Sequence, residues 1–306
     1  MPEFFHLDDL LHAPPPSPDG QPPARLAVIG DPVAHSKSPQ MHNPALQAAG
    51  IPAQYIRVHV PPGRVREAFD TFRRHGFFGC NITIPHKLEA MQAVDDVAPL
   101  AARLGAVNTL VISDEGHFTG HNTDGPGFLR AVREAFQKEI IDLRVLILGA
   151  GGGAGRATAV QCALADCPRL VLVNRTAEKV ERLSQELREL NGESDITALA
   201  WEDEILSEEL ANIDLIVNAT SRGMKPGDAP LLPTGALRAG HQIFDMVYRP
   251  DASPTPLIEA AQNAHLPWTD GLNLLLHQGA ISFEHWFSQP APIDAMRRGL
   301  LATATA

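Results

Sequence analysis

Gly149, Gly151 and Ala154 stand at G-x-G-x-x-A spacing, between the apolar run Val145–Leu148 and a small-residue stretch through Ala157, Ala159, Cys162 and Ala163. This strand–turn–helix setting is what a dinucleotide site requires. One glycine makes the turn, one lets backbone approach a pyrophosphate, and one small residue packs helix on strand. The helix N-terminus then offers unpaired N–H groups to phosphate. The expected cradle is Gly149, Ala150, Gly151, Gly152, Gly153 and Ala154. A second apolar run, Leu170–Val173, ends in Asn174–Arg175–Thr176, where a ribose-reading residue belongs.

A second set of residues could hold or turn over a small polar ligand. Ser36 and Ser38, followed by Pro39, can aim both hydroxyls at one pair of ligand oxygens. The same residues also read as a helix start, with Ser38 as cap and Pro39 first in the helix, and both readings stand. Asn81 and Thr83 share a strand face by two-residue alternation. Pro85 then opens a helix that puts Lys87 in its first turn, where a cation opposes the helix dipole. That cost favours a function for Lys87, while a solvated surface lysine is the plain alternative. Asn108 enters an apolar strand and must find hydrogen-bond partners in protein or ligand. Asp124, in Asn122–Thr123–Asp124–Gly125, reads equally as a cap or turn residue.

The elements that must position these residues follow from patterning. Residues 1–24 combine a short apolar-acidic piece with the proline run from Ala13 to Pro18, and read as a flexible appendage holding at most a docked helical turn. Folded structure begins at Arg25–Gly30, a buried strand. Helix Gln40–Ala49, strand Gln54–Val60, helix Val65–His75 and the strand around Asn81 follow. Asp114–His117 is a hairpin turn, and Phe128–Phe136 is a helix that leads into the glycine-loop strand. From there strands and helices alternate, the pattern of a parallel doubly wound sheet. Asp270–Trp286 is a long amphipathic helix.

With 306 residues the chain has length for two cores. Its net charge of −11 argues against a general nucleic-acid binder and leaves room for a local basic pocket. Cys80, Cys162 and Cys167 lack metal-ligand spacing, so no metal site is expected, and they read as buried reduced thiols of a cytoplasmic protein. No apolar stretch approaches membrane-spanning length.

From about Arg25 onward the chain resembles the shikimate dehydrogenase family, in a series of separated motifs in the expected order. They are Ser36–Pro39, Asn81–Lys87, Ala106–Thr109, Asn122–Gly125, the glycine loop, Asn174–Thr176, Asn218–Ser221, Asp245–Tyr248 with Thr255–Leu257, and Gly271 with Gln278. The resemblance implies an α/β protein with a Rossmann-like doubly wound NADP domain (124–270) and an α/β substrate domain (25–123 plus 271–306), with a cleft between them. It implies Lys87 and Asp124 as a catalytic pair, Ser36 and Ser38 on a substrate carboxylate, and Asn81, Thr83, Asn108, Tyr248 and Gln278 as further substrate contacts. Thr220, Met246 and Gly271 join the cofactor residues. The glycine loop carries one residue more than the family's usual run, so assignments from Gly152 to Arg156 can slip by one.

The implied reaction is NADP-dependent, reversible reduction of 3-dehydroshikimate to shikimate, in the chorismate and aromatic amino acid pathway, by a monomer or homodimer. For the cofactor, Asn174 stands where NAD enzymes commonly place a carboxylate, and Arg175, Thr176 and Lys179 can receive a 2′-phosphate. Two alternatives remain at this point. One is a quinate or quinate/shikimate dehydrogenase using NAD. The other is a catalytically silent sensor of shikimate-type ligands, against which the presence of both Lys87 and Asp124 argues.

Overall fold

The computed structural model describes residues 4–17, 20–192, 194–225, 227–233, 235–249 and 251–302. The chain divides into two compact units, 1–127 with 278–306, and 128–277. The division falls at 127/128 and 277/278, inside two helices.

The first unit runs β1 (Phe5–His6), α1 (Leu7–Leu10), β2 (Ala24–Gly30), α2 (Ser38–Ala48), β3 (Gln54–His59), α3 (Val65–Arg74), β4 (Gly79–Ile82), α4 (Lys87–Ala93), β5 (Asp96–Val97), α5 (Pro99–Leu104), β6 (Thr109–Ile112) and β7 (Phe118–His121). Helix α6 (Asp124–Phe136) crosses into the second unit. A seven-stranded sheet has the order β1-β3-β2-β4-β6-β7-β5. β1, β3, β2 and β4 are parallel, β6 runs antiparallel to β4 and β7, and β5 pairs with β7 in parallel. Its core gathers Ile29, Val58, Phe69, Phe72, Cys80, Leu110 and Phe118.

The docked helical turn expected near the start of the chain is α1, and it is joined by a strand the sequence did not show. β1 pairs with β3, and Phe5, Leu7 and Leu10 are buried in the core of the unit, so Phe5–Leu10 is not flexible. The apolar residues flanking Asp8 and Asp9 supply a buried face, which outweighs the entropy of ordering a short terminal segment. Residues 1–3, 18 and 19 of that stretch, with 303–306 at the other end, lie outside the described residues.

The second unit runs β8 (Arg144–Leu148), α7 (Gly153–Leu164), β9 (Arg169–Asn174), α8 (Ala177–Leu190), β10 (Asp195–Ala200), α9 (Asp203–Glu209), β11 (Leu215–Asn218), β12 (Gln242–Asp245), α10 (Pro256–Asn263), β13 (Trp268–Thr269) and α11 (Gly271–Phe287). Its six strands are all parallel, in the order β10-β9-β8-β11-β12-β13. Val145–Leu148, Leu170–Val173 and Leu215–Val217 are completely buried, which is why these strands read as unbroken apolar runs rather than alternating ones. The chain order changes direction between β8 and β11, and a sheet of this kind binds ligands at the carboxyl ends of the strands at that point. The second half of α11 and α12 (Ile293–Ala302) return to the first unit.

The three cysteines are free and buried, and burial pushes each thiol above its ordinary range, Cys167 to about 12. Among the described residues, no helix is long and apolar enough to cross a membrane.

Candidate active site

In the first unit, Lys87 is the opening residue of α4 and Asp124 the opening residue of α6. Lys87 Nζ donates to Asp124 Oδ2 at 2.7 Å, with the side chains 33% and 26% exposed, so the pair is sheltered yet reachable. Asp124 is not the helix cap. Asn122 takes that task, its carboxamide oxygen accepting from the backbone N–H groups of Asp124 and Gly125. The aspartate carboxylate is thereby left for Lys87.

The helix bearing Lys87 begins two residues later than Pro85, because Ile84–His86 form a turn closed by His86 N–H to Thr83 O at 3.0 Å. Thr83 follows β4 rather than belonging to it. A Cβ at Gly30 would stand 2.5 Å from Thr83 Cγ2, so glycine at the end of β2 makes room for this threonine. His86 is buried, with Nε2 2.7 Å from Val60 O, and so ties the turn before Lys87 to the chain after β3.

Ser36 and Ser38 lie in and just after the loop that follows β2. Ser36 Oγ donates to Ser38 Oγ at 3.2 Å, and no side chain caps α2, which starts at Ser38 itself. Capping by Ser38 is not observed, and the two hydroxyls lie side by side. Arg57 holds the loop, donating through Nε to Ser36 O at 2.8 Å and through Nη2 to Gln40 Oε1 at 2.9 Å.

Asn81, Asn108 and Gln278 meet in one buried polar network. Asn108 Oδ1 accepts from Thr123 N–H at 2.8 Å, and its Nδ2 donates to Thr123 Oγ1 at 3.0 Å. Asn81 Oδ1 accepts from the Tyr55 hydroxyl at 2.7 Å, and Thr123 Oγ1 lies 3.5 Å from Gln278 Oε1. Tyr248 lies in the second unit, as its place in the chain requires, half-buried just after β12.

The second unit carries the cofactor candidates. Gly149 has φ +84°, a left-handed turn in which a side chain would be strained, and a Cβ there would stand 2.6 Å from Thr220 Cγ2. A Cβ at Gly151 would meet the Asn174 carboxamide at 2.9 Å and Lys179 Cβ at 3.0 Å. The third position corrects the spacing read from sequence. Ala154 is exposed, whereas Gly155 is buried, and a Cβ on Gly155 would collide with the Gly149 carbonyl. The helix-packing residue is therefore Gly155, one later than G-x-G-x-x-A puts it, because the loop is one residue longer. Gly152 precedes α7 and Gly153 opens it, with nothing near a Cβ at Gly153.

Arg175, Thr176 and Lys179 are all exposed at the β9–α8 turn, and Asn174 Nδ2 donates to Thr176 O at 3.1 Å. No carboxylate occupies residues 174–176. Beside Gly151 a cavity of about 180 Å³ is lined by Arg156, Lys179 and Arg182, with Glu186 paired to Arg156 at 2.8 Å. Arg156, in the first turn after the glycine loop, is a cation that motif spacing does not single out. This setting, in which the cations outnumber the one carboxylate of Glu186, fits a cofactor with an additional phosphate. At the ends of β11 and β12, Asn218 Nδ2 donates to Asp245 Oδ1 at 2.8 Å, and Thr255 Oγ1 to Asp245 Oδ2 at 2.5 Å. Burial raises the Asp245 pKa despite these bonds. The network fixes the loops bearing Thr220 and Met246. Gly271 lets α11 begin against the Met246 carbonyl, which a Cβ would strike.

Two family profiles match the chain: the shikimate dehydrogenase substrate binding domain over residues 28–110, and the shikimate 5′-dehydrogenase C-terminal domain over residues 271–301. A curated relative, the NADP(+) shikimate dehydrogenase of Symbiobacterium thermophilum, is 39% identical over 279 residues, covering 90% of this chain and 93% of its own. A solved shikimate dehydrogenase in complex with NADP+ superposes with TM-score 0.84 at 32% identity, over 95% of this chain and all of that one. The Thermus thermophilus enzyme, solved with NADP(H) and shikimate, gives TM-score 0.79 at 33% identity over 92% of this chain and 99% of its own. The chain belongs to the shikimate dehydrogenase family.

Proposed function

We propose that this protein is an NADP-dependent shikimate dehydrogenase, reducing 3-dehydroshikimate to shikimate reversibly in the route to chorismate and the aromatic amino acids. The observation that carries the reading is the Lys87–Asp124 pair at 2.7 Å, in the same unit as the Ser36–Ser38 hydroxyls and the amides of Asn81, Asn108 and Gln278. A carboxylate-bearing polyol needs such a set: donors for the carboxylate, and mixed donors and acceptors for its ring hydroxyls. In this reading the first unit is the substrate domain and the second the cofactor domain, with Tyr248 an additional substrate contact.

The residues that would hold the cofactor are Gly149–Ala154, Asn174, Arg175, Thr176, Lys179, Thr220, Met246 and Gly271, with Gly155 packing the helix beneath them. Bound NADPH supplies the hydride for the carbonyl carbon. The protein's task is then at the carbonyl oxygen, where negative charge develops as the C=O becomes C–O. The Lys87 ammonium stabilises that charge and gives up a proton to it, completing the hydroxyl. Asp124 holds Nζ in place and offsets the ammonium charge before the proton leaves. In the oxidative direction neutral Lys87 takes the hydroxyl proton back. Ser36 and Ser38 fix the substrate carboxylate and so the position of the ring.

The protein acts, in this reading, as a cytoplasmic monomer or homodimer on a small-molecule substrate. The test is a steady-state screen of shikimate and quinate, each with NADP and NAD. Shikimate with NADP is expected to give the highest kcat/KM; a preference for quinate with NAD would replace this function with that of a quinate dehydrogenase.

A further inference from the structure

Helix α11 carries three polar or aromatic N–H and O–H groups spaced four apart, Gln278, Ser282 and Trp286, which therefore share one face. Each turns to a partner in the first unit, Trp286 Nε1 donating to Leu110 O at 2.9 Å. Ser282 is fully buried between them. Its Oγ lies 2.9 Å from Asn81 Nδ2, 2.8 Å from Thr109 Oγ1, 3.2 Å from Thr123 Oγ1 and 3.1 Å from the Gln278 carbonyl.

A serine hydroxyl has one proton and two lone pairs, so the directions of these bonds can be assigned. The Thr109 hydroxyl donates to Asn108 Oδ1 at 3.0 Å, and Asn108 Nδ2 donates to Thr123 Oγ1 at 3.0 Å. Thr123 is then free to donate to Ser282, as Asn81 Nδ2 does. The Ser282 proton goes to Thr109 or to the Gln278 carbonyl. Every hydroxyl donor of the cluster is satisfied by this arrangement. Its consequence is for Asn81. One Nδ2 hydrogen goes to Ser282 and the other to Thr109 at 3.1 Å, while Oδ1 already accepts from Tyr55. Asn81 can face a ligand only as an acceptor, through its remaining Oδ1 lone pair. Asn108 is poised oppositely, with one Nδ2 hydrogen spent on Thr123 and the second left to donate.

We propose that Ser282 is a positioning residue for substrate recognition. It locks the Asn81 carboxamide with its oxygen toward the ligand, and it ties the turn of α11 that carries Gln278 to the sheet. The inference rests on the reading of Asn81, Asn108 and Gln278 as ligands of the ring hydroxyls. A serine that merely fills the helix–sheet contact would affect stability alone.

The experiment compares Ser282→Ala, Ser282→Cys and Ser282→Thr with Gln278→Ala and the Gln278→Ala/Ser282→Ala double variant, measuring kcat and KM for shikimate and NADP together with melting temperature. Ser282→Ala and Ser282→Cys are expected to raise the shikimate KM about tenfold, the loss of about one buried hydrogen bond, with kcat and the NADP KM within about twofold. Ser282→Thr, which keeps the hydroxyl, restores most of that loss. In the Gln278→Ala background removal of Ser282 adds less than about threefold, because the two residues share one network. If Gln278→Ala raises the shikimate KM while Ser282→Ala and Ser282→Cys shift only the melting temperature, the positioning role is overturned. If Gln278→Ala itself leaves the shikimate KM unmoved, the assignment of the site fails first, and the role of Ser282 with it.

Discussion

Lys87 sits at the end of a helix where a cation is least favoured, and the acid of the same turn, Glu89, accepts from the Gly63 and Val65 N–H groups; Asp124, 37 residues on, pairs with the lysine. That is the physical sense in which the residue was conspicuous in sequence while its partner was not. Opposed dipoles can be read from a local pattern, but a contact between two helix starts cannot. The same holds for Asn108, whose need for partners was legible, although their identity in Thr123 and Thr109 was not. Lys87→Ala is expected to lower kcat by about two to four orders of magnitude, the usual worth of acid–base assistance, with a much smaller change in substrate affinity. A variant turning over at near-native rate would return Lys87 to the role of a surface cation. The serine pair answers to a different measurement. Ser36→Ala with Ser38→Ala should raise the shikimate KM and leave the NADP KM nearly unchanged, since both hydroxyls belong to the first unit; matched losses would point to a damaged fold.

Two elements of the second unit show how far spacing alone carries. The glycine loop was legible as a strand–turn–helix, and Gly149 performs the turn that its place in the motif demands. The packing position slipped by one because motif spacing counts residues, whereas the helix is seated by which Cα touches the Gly149 carbonyl; that residue is Gly155. Gly155→Val should therefore impair folding or NADP binding severely, while Ala154→Val, on an exposed position, should be mild. Equal effects of the two would restore the original spacing. At the β9–α8 turn, Arg175 stands exposed with Lys179 one helical turn on. Each charged contact with a 2′-phosphate contributes about 1.5–3 kcal/mol, so two favour NADP over NAD by ~10²-fold or more. Arg175→Ala should weaken NADP strongly and spare NAD, as read by kcat/KM for both cofactors; parallel losses would move the phosphate site elsewhere.

At the scale of the molecule, the parallel sheet of the second unit was legible because its central strands are buried on both faces and leave unbroken apolar runs. The two-residue strands β1, β5 and β13 were not, because two residues carry no periodicity and their pairing is decided by partners far along the chain. A buried group placed by such packing also sets how the first unit responds to acid. His42 of α2 is stacked on Tyr55 with ring centroids 4.4 Å apart, and Trp286 lies 5.3 Å away. Burial is the main cause that holds its imidazole neutral, pushing its pKa down to about 3, with Asn81 opposing the shift. In the unfolded chain the same ring titrates near 6.5. Between these values the unfolded state binds a proton that the folded state refuses, so acid favours unfolding. The contribution of His42 is fully present above about pH 6.5 and is lost as pH falls toward 3, at about 1.4 kcal/mol per pH unit. Carboxylates add their own dependence, so the comparison is between wild type and His42→Phe, by urea denaturation from pH 7 to pH 5. The variant should lose less stability over that interval than wild type by about 2 kcal/mol, whatever its stability at pH 7. Parallel curves would mean that the folded protein accepts the proton at His42, and that its burial does not control the acid response.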